Sequence, residues 1–221
     1  MCTPCSFLRQ KYKILFVLKE ANRKDGDADL CEFLLSESSP TYRKTWNNVA
    51  RWIKTLLVQG DYPEYVSRSD KSFWLRKAAV MNLKKVGGGS SSNDGTIREY
   101  ARADREFLKE QIVLYQPDII ICCGRGNGKN ADILCDIIFE PSEVSEWQTP
   151  LTDSKYNYFT VKLADRKTTP VVSFYHPQIY GGHKLFRKRY EEMLAVGKEL
   201  IPISDECADK KTNSTFSKGE L

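Results

Sequence analysis

Four short runs of this chain are apolar almost without interruption, while the stretches between them are apolar only at every third or fourth position. The runs are Ile14 to Leu18, Ala78 to Asn82, Ile119 to Cys123 and Val171 to Tyr175. Unbroken apolar character predicts strands buried on both faces, as in a parallel sheet covered by helices. The spaced pattern predicts the helices. Thr41–Leu57 carries Trp46, Val49, Trp52, Ile53, Leu56 and Leu57 on one side, and Thr96–Tyr115 carries Tyr100, Phe107, Leu108, Ile112 and Tyr115. Asn130–Phe139 and the basic segment Lys184–Leu200 complete the set. Strands alternating with helices predict a three-layer α/β/α sandwich around a central, mainly parallel four-stranded sheet.

Two of the runs end abruptly in polar residues. The first reads KILFVLKEAN, Lys13 to Asn22, and the second PVVSFYHPQ, Pro170 to Gln178. In open α/β sheets, ligands gather beyond the carboxyl ends of the strands. The pattern therefore predicts that Glu20 and Asn22 meet His176, although more than half the chain lies between them. A carboxylate facing an imidazole at the mouth of a sheet suits hydrolysis of a sensitive bond. The segment GGGSSSND, Gly87 to Asp94, follows the second run and reads equally as a linker or as a loop over a ligand. Residues 202–221 are polar and without periodicity, which predicts a disordered tail behind a single domain spanning 1–201.

Bulk properties narrow the picture. The chain has 221 residues and a net charge of +5, short of the basicity of a protein that coats nucleic acid. Basic residues nevertheless cluster at Leu75–Ala79, Asn82–Val86 and Lys184–Tyr190. No apolar run is long enough to span a bilayer, and the polar start does not read as a signal peptide, so a cytoplasmic protein is expected. The seven cysteines are an odd number. In a reducing compartment they predict no disulfide framework, and Cys122 and Cys123 read as buried thiols in an apolar strand. The glycine-rich CGRGNGKN, Cys123 to Asn130, fails the spacing of a phosphate loop, because no Ser or Thr follows Lys129. It reads as a glycine-rich entry to the next helix.

The order of short motifs resembles the uracil-DNA glycosylase superfamily, most closely its iron–sulfur branch. Lys19-Glu20-Ala21-Asn22 stands where that branch has G-E-A-P, and Met81-Asn82-Leu83-Lys84-Lys85 stands at its T-N-V-V-K. Phe107-Leu108-Lys109-Glu110-Gln111-Ile112 leads into Pro117-Asp118-Ile119-Ile120-Ile121-Cys122-Cys123-Gly124, and His176-Pro177-Gln178 closes the series. The resemblance implies a DNA glycosylase acting on a flipped-out base, a monomer with DNA as its partner. It implies Glu20 as the carboxylate that orients water, His176 as a neutral donor to the leaving base, and Asn82 as the reader of the base edge. Tyr42 would stack on the base, and Tyr180 (with Ile179 its rival) would wedge into the DNA. Lys184, Arg187 and Lys188 would hold phosphate, with solvation of a helix surface the plainer reading of the same charges.

The departures carry their own expectations. Cys2 and Cys5 match the opening C-x-x-C, but Val86 and Ala103 occupy the other two ligand positions. Cluster ligation needs four thiolates or close substitutes, so no cluster, no other metal and no cofactor is expected. Lys19 replaces a glycine and implies a reshaped pocket or an additional polar contact to the base, while Asn22 replaces a proline and implies a second group holding the attacking water. The proline-rich loop has become GGGSSS, which implies room for a bulky modified cytosine of phage DNA and a role in defence. The alternatives are a uracil repair glycosylase, a non-catalytic DNA-binding module and a small-molecule hydrolase on the same sheet.

Overall fold

A computed structural model describes residues 5–21, 44–88, 93–125, 129–150, 156–163, 168–178 and 182–201. Asn22, Tyr42, Tyr180, Cys2, residues 89–92 and the tail 202–221 lie outside these. In chain order the elements are α1 (Cys5–Leu8), β1 (Ile14–Leu18), α2 (Lys44–Val58), α3 (Arg68–Leu75), β2 (Ala79–Asn82), α4 (Asp94–Ala103) and α5 (Arg105–Tyr115). Then follow β3 (Ile119–Cys123), α6 (Asn130–Ile133, continued by a π-helical turn Leu134–Ile138), β4 (Asn157–Lys162), β5 (Thr168–Phe174) and α7 (His183–Leu200).

The strands form one sheet in the order β2-β1-β3-β5-β4. The first four are parallel, with Leu18 beside Asn82, Phe16 beside Ile121 and Cys123 beside Phe174. Successive side chains in a strand point to opposite faces, and the core divides accordingly. Ile14, Phe16, Ile119, Ile121, Cys123, Val172 and Phe174 pack with Val49, Trp52 and Ile53 of α2 and with Met193 and Val196 of α7. Leu15, Val17, Ile120, Cys122 and Val171 face the other way, onto Ile97 of α4, Leu108 and Ile112 of α5, and Ile133 and Leu134 of α6. This is the helix–sheet–helix layering that unbroken apolar strands require. Cys122 and Cys123 are free thiols buried on opposite faces, and burial pushes both well above the ordinary thiol range.

The sheet has five strands rather than the four expected. β4 pairs antiparallel with β5 at the edge, with Asn157 beside Ser173 and Lys162 beside Thr168. Its cover is uneven: Phe159 and Val161 are buried, Tyr158 and Thr160 on the other face are half-buried, and Asn157 and Lys162 at its ends are exposed. Such a strand alternates instead of running apolar, which is why the search for unbroken runs passes it by. Bridges from Val144 to Val161 and from Gln148 to Tyr158 cover its outer edge. One helix also differs. The predicted Thr96–Tyr115 helix is interrupted at Asp104, whose φ of −100° and ψ of 17° leave the helical basin. The apolar spacing runs on by seven residues from Ala101 to Leu108 and gives no sign of the break. Among the described residues no helix is long and apolar enough to cross a membrane.

Candidate active site at the carboxyl ends of the parallel strands

β2 and β3 lie on opposite sides of β1, so the chain changes direction between β1 and β3. The crevice above the carboxyl ends at such a point is the usual ligand site of an open α/β sheet. Three backbone bonds fold the loop after β2 alongside the loop after β1. Leu83 donates to the Leu18 carbonyl at 3.0 Å, Lys84 to Lys19 at 2.9 Å and Gly88 to Ala21 at 2.8 Å. Asn130, fully buried at the start of α6, fixes the other side. Its amide donates to the carbonyls of Val17 at 3.2 Å and Cys123 at 2.5 Å, tying β1 to β3.

Glu20 lies in the floor of this crevice. Its side chain is only 6% exposed, and Oε2 accepts from Lys84 Nζ at 2.6 Å. Lys84, 11% exposed, also donates to the Gly87 carbonyl at 3.3 Å and lies 5.3 Å from the centre of the Tyr100 ring. Gly88 closes over the carboxylate so tightly that a Cβ there would sit 2.1 Å from it. The space left by that glycine is thus filled by Glu20 and is not open room for a ligand. Gly88→Ala is expected to displace the Glu20 carboxylate and lower stability by about 1–3 kcal/mol through overpacking, measurable by urea denaturation. An unchanged midpoint would mean the loop yields freely.

Lys19, expected to touch the base, is engaged by protein. It forms an ion pair with Asp94 Oδ1, and Lys129 pairs with Oδ2 of the same carboxylate. Asp94 is in the first turn of α4, whose N-cap is Asn93. The triad links the loops after β1, β2 and β3. Burial pushes the Asp94 carboxyl upward, but the bonds from Lys129 and Lys19 outweigh it and hold it below the ordinary carboxylate range. Asn82, the last residue of β2, has a buried Oδ1 without a hydrogen-bond partner among the described residues. A buried acceptor left open at a strand end is a place for a ligand donor.

His176 follows β5, one strand beyond β3 and hence roughly 10 Å from β1 across the sheet. The Gln178 amide donates to its Nδ1 at 3.1 Å. The neutral ring therefore carries its proton on Nε2. The residue presents an exposed face, while the protein behind it withdraws water. That burial, with the charge of Lys19 second, holds the imidazole below its ordinary range. The turn is braced from α2. Asn48 donates to the Pro177 carbonyl at 2.8 Å, and Arg51 supports Asn48 while donating to the carbonyls of Pro63 and Glu64. Before it, the Tyr175 ring lies 3.3 Å from the Arg189 guanidinium, and its hydroxyl accepts from Arg125 at 2.7 Å.

On α7, Lys184 and Lys188 are exposed. Arg187 is exposed too, but it pairs with Glu64 and lies 5.2 Å from the Tyr62 ring, which takes up part of its charge. The expected residues Lys19, Glu20, Asn82 and His176 thus share one edge of the sheet, and Asn22, Tyr42 and Tyr180 lie outside the described residues. Sequence reasoning did not single out Lys84, Asp94, Lys129, Asn48 or Arg51. Lys129 and Asp94 stand within glycine-rich segments at strand ends, the one signal in the sequence that points to them. Among the described residues no group of three or more His, Cys, Asp or Glu side chains could hold a metal ion. No protein-family model, curated protein or solved structure matches this chain.

Proposed function

We propose that the chain is a DNA glycosylase that hydrolyses the N-glycosidic bond of a flipped-out, non-standard pyrimidine. The observation that carries the reading is the chemistry gathered along one sheet edge. A neutral imidazole protonated at Nε2, a buried carboxylate and an amide with an open buried acceptor stand at the ends of β5, β1 and β2. Cleavage breaks the bond from C1′ to the base nitrogen, and both electrons leave with the base. His176 Nε2–H donates to the base carbonyl that gains negative charge. Glu20 stabilises the sugar cation and orients the water whose oxygen bonds C1′. The water's proton passes to the carboxylate and from there to the departed base. Asn82 offers both a donor and an acceptor to the base edge. The exposed Arg125 after β3 and Lys184 and Lys188 near the start of α7 carry charge suited to phosphate.

The substrate class favoured by the altered Lys19–Asn22 turn is a bulky, substituted or glucosylated cytosine, with defence against phage as the setting. Purified protein is incubated with DNAs containing uracil, hydroxymethylcytosine or glucosylated hydroxymethylcytosine, and free base is measured by mass spectrometry. Release from the bulky-base DNA is expected. Efficient release of uracil alone would return the reading to repair, and no release from any DNA would remove the catalytic reading. One observation favours a second reading, a non-catalytic DNA-binding module: Glu20 is already paired with Lys84. Under either reading DNA affinity falls steeply with salt, and Lys184→Ala and Lys188→Ala each lower the salt slope by about 1. A salt-independent affinity would point to a small-molecule hydrolase.

A further inference from the structure

Lys19 is directed across the sheet. Gly124, the first residue after β3, turns with a φ of +110°, and a Cβ built on it would lie 3.8 Å from Lys19 Cε. The Gly124 amide donates to the Phe174 carbonyl at 2.8 Å. The Lys19 arm therefore rests on the turn after β3, which is hydrogen-bonded to β5, the strand leading to His176. Asp94 holds the ammonium by one oxygen, and 18% of the Lys19 side chain remains exposed. Its charge is felt at His176, where it adds to burial in keeping the ring neutral. Other charged groups approach from neighbouring elements: Lys129 and Asp94 beside Lys19, Arg125 after β3 and Arg189 on α7 against Tyr175, and Arg51 behind Asn48. Two acidic groups stand among them: Asp94, whose oxygens are both engaged by lysines, and Glu192, which pairs with Arg189 at 2.6 Å.

A neutral imidazole gives a departing base a hydrogen bond but no net charge. Building from the glycosylase reading, we propose that Lys19, anchored by Asp94 and lying over Gly124, supplies the positive charge that receives the developing anion, and so selects pyrimidines whose 2-carbonyl takes up that charge. The site then divides its work: the hydrogen bond comes from β5 and the countercharge from the loop after β1. A fixed cation in a site shielded from water acts far more strongly than one in solvent.

The test compares the full chain with Lys19→Met and Lys19→Arg on DNAs carrying 5-substituted uracils and cytosines of graded electron withdrawal, glucosylated hydroxymethylcytosine included. Lys19→Met is expected to slow the poorest leaving base about 100-fold and the best much less, so that the dependence of rate on leaving-group acidity steepens. Lys19→Arg keeps the charge, serves as the folding control, and is expected to restore most of the rate. In the Met variant the His176 ring, followed by NMR, is expected to titrate at higher pH. An active wild type whose Met variant shows the same leaving-group dependence and the same His176 titration would overturn the proposal alone. A wild type that releases none of these bases would overturn the glycosylase reading, and the role of Lys19 with it.

Discussion

Glu20→Ala is expected to cost about 3–5 kcal/mol of stability, the range for removing one partner of a buried ion pair. The reason is Lys84. With the carboxylate gone, an ammonium with 11% of its side chain exposed keeps a 3.3 Å bond to the Gly87 carbonyl and the Tyr100 ring 5.3 Å away, neither of which neutralises it. Domains of this size are stable by about 5–15 kcal/mol in total, so the loss is a large fraction. Glu20→Gln keeps the volume under Gly88 and an acceptor for Lys84, and is expected to cost less. Glu20→Met combined with Lys84→Met removes both charges and is expected to recover most of the loss. Denaturant titration of the three variants checks this, and a cost below 1 kcal/mol for Glu20→Ala would show that the pair contributes little. The alanine variant therefore confounds catalysis with folding, and Glu20→Gln is the variant whose kinetics report on chemistry.

His176→Ala is expected to lower single-turnover base release about 100- to 1,000-fold, the usual effect of losing one donor to a developing anion. Stability is expected to change by less than about 0.5 kcal/mol, as for an exposed side chain away from the core. DNA affinity is expected to hold. Retention of activity within tenfold would remove His176 from the mechanism. The pH dependence has a defined sign. Because the folded-state value is lowered, the folded protein holds fewer protons at this ring than the unfolded chain does. The ring therefore contributes nothing above about pH 6.5 and destabilises the fold as pH falls below it. Below that range a proton on Nδ1 breaks the bond from the Gln178 amide that orients the ring, so base release is expected to be level from neutral pH down through about 6.5 and to decline only below.

How much of this was legible in the sequence follows from what each signal depends on. β1 and β3 were readable to the residue because both are buried on every side chain, and burial on both faces leaves no polar position to blur the run. β4 was not, since an edge strand with a half-buried second face and exposed ends has only Phe159 and Val161 fully buried to mark it. α3 was missed although Ser67 and Asp70 form a capping box, a local signal present in the sequence at its usual spacing. The strand-end rule points to Glu20, Asn22 and His176, and Asn82 enters only through the resemblance. Their partners were not readable, because Lys84, Asp94 and Lys129 acquire meaning only when three loops meet. The sequence pattern suggests which strand end a residue follows. It does not show that a carboxylate already has a lysine, as Glu20 does, or that a lysine already has a carboxylate, as Lys19 does.

Asn130 has a consequence for how such a site can change. One amide group binds the last turns of β1 and β3 together from below, so the two central strands keep their spacing whatever the loops above them do. Innovation and upkeep are then assigned to different stretches of chain. Directed evolution toward a new base would gain by randomising the exposed positions 85, 86, 125, 178 and 184, where variation alters contacts and not the frame, while Glu20, Lys84 and Gly88 are kept. Libraries that include 14–18, 119–123 or Asn130 would fill mainly with proteins that no longer fold.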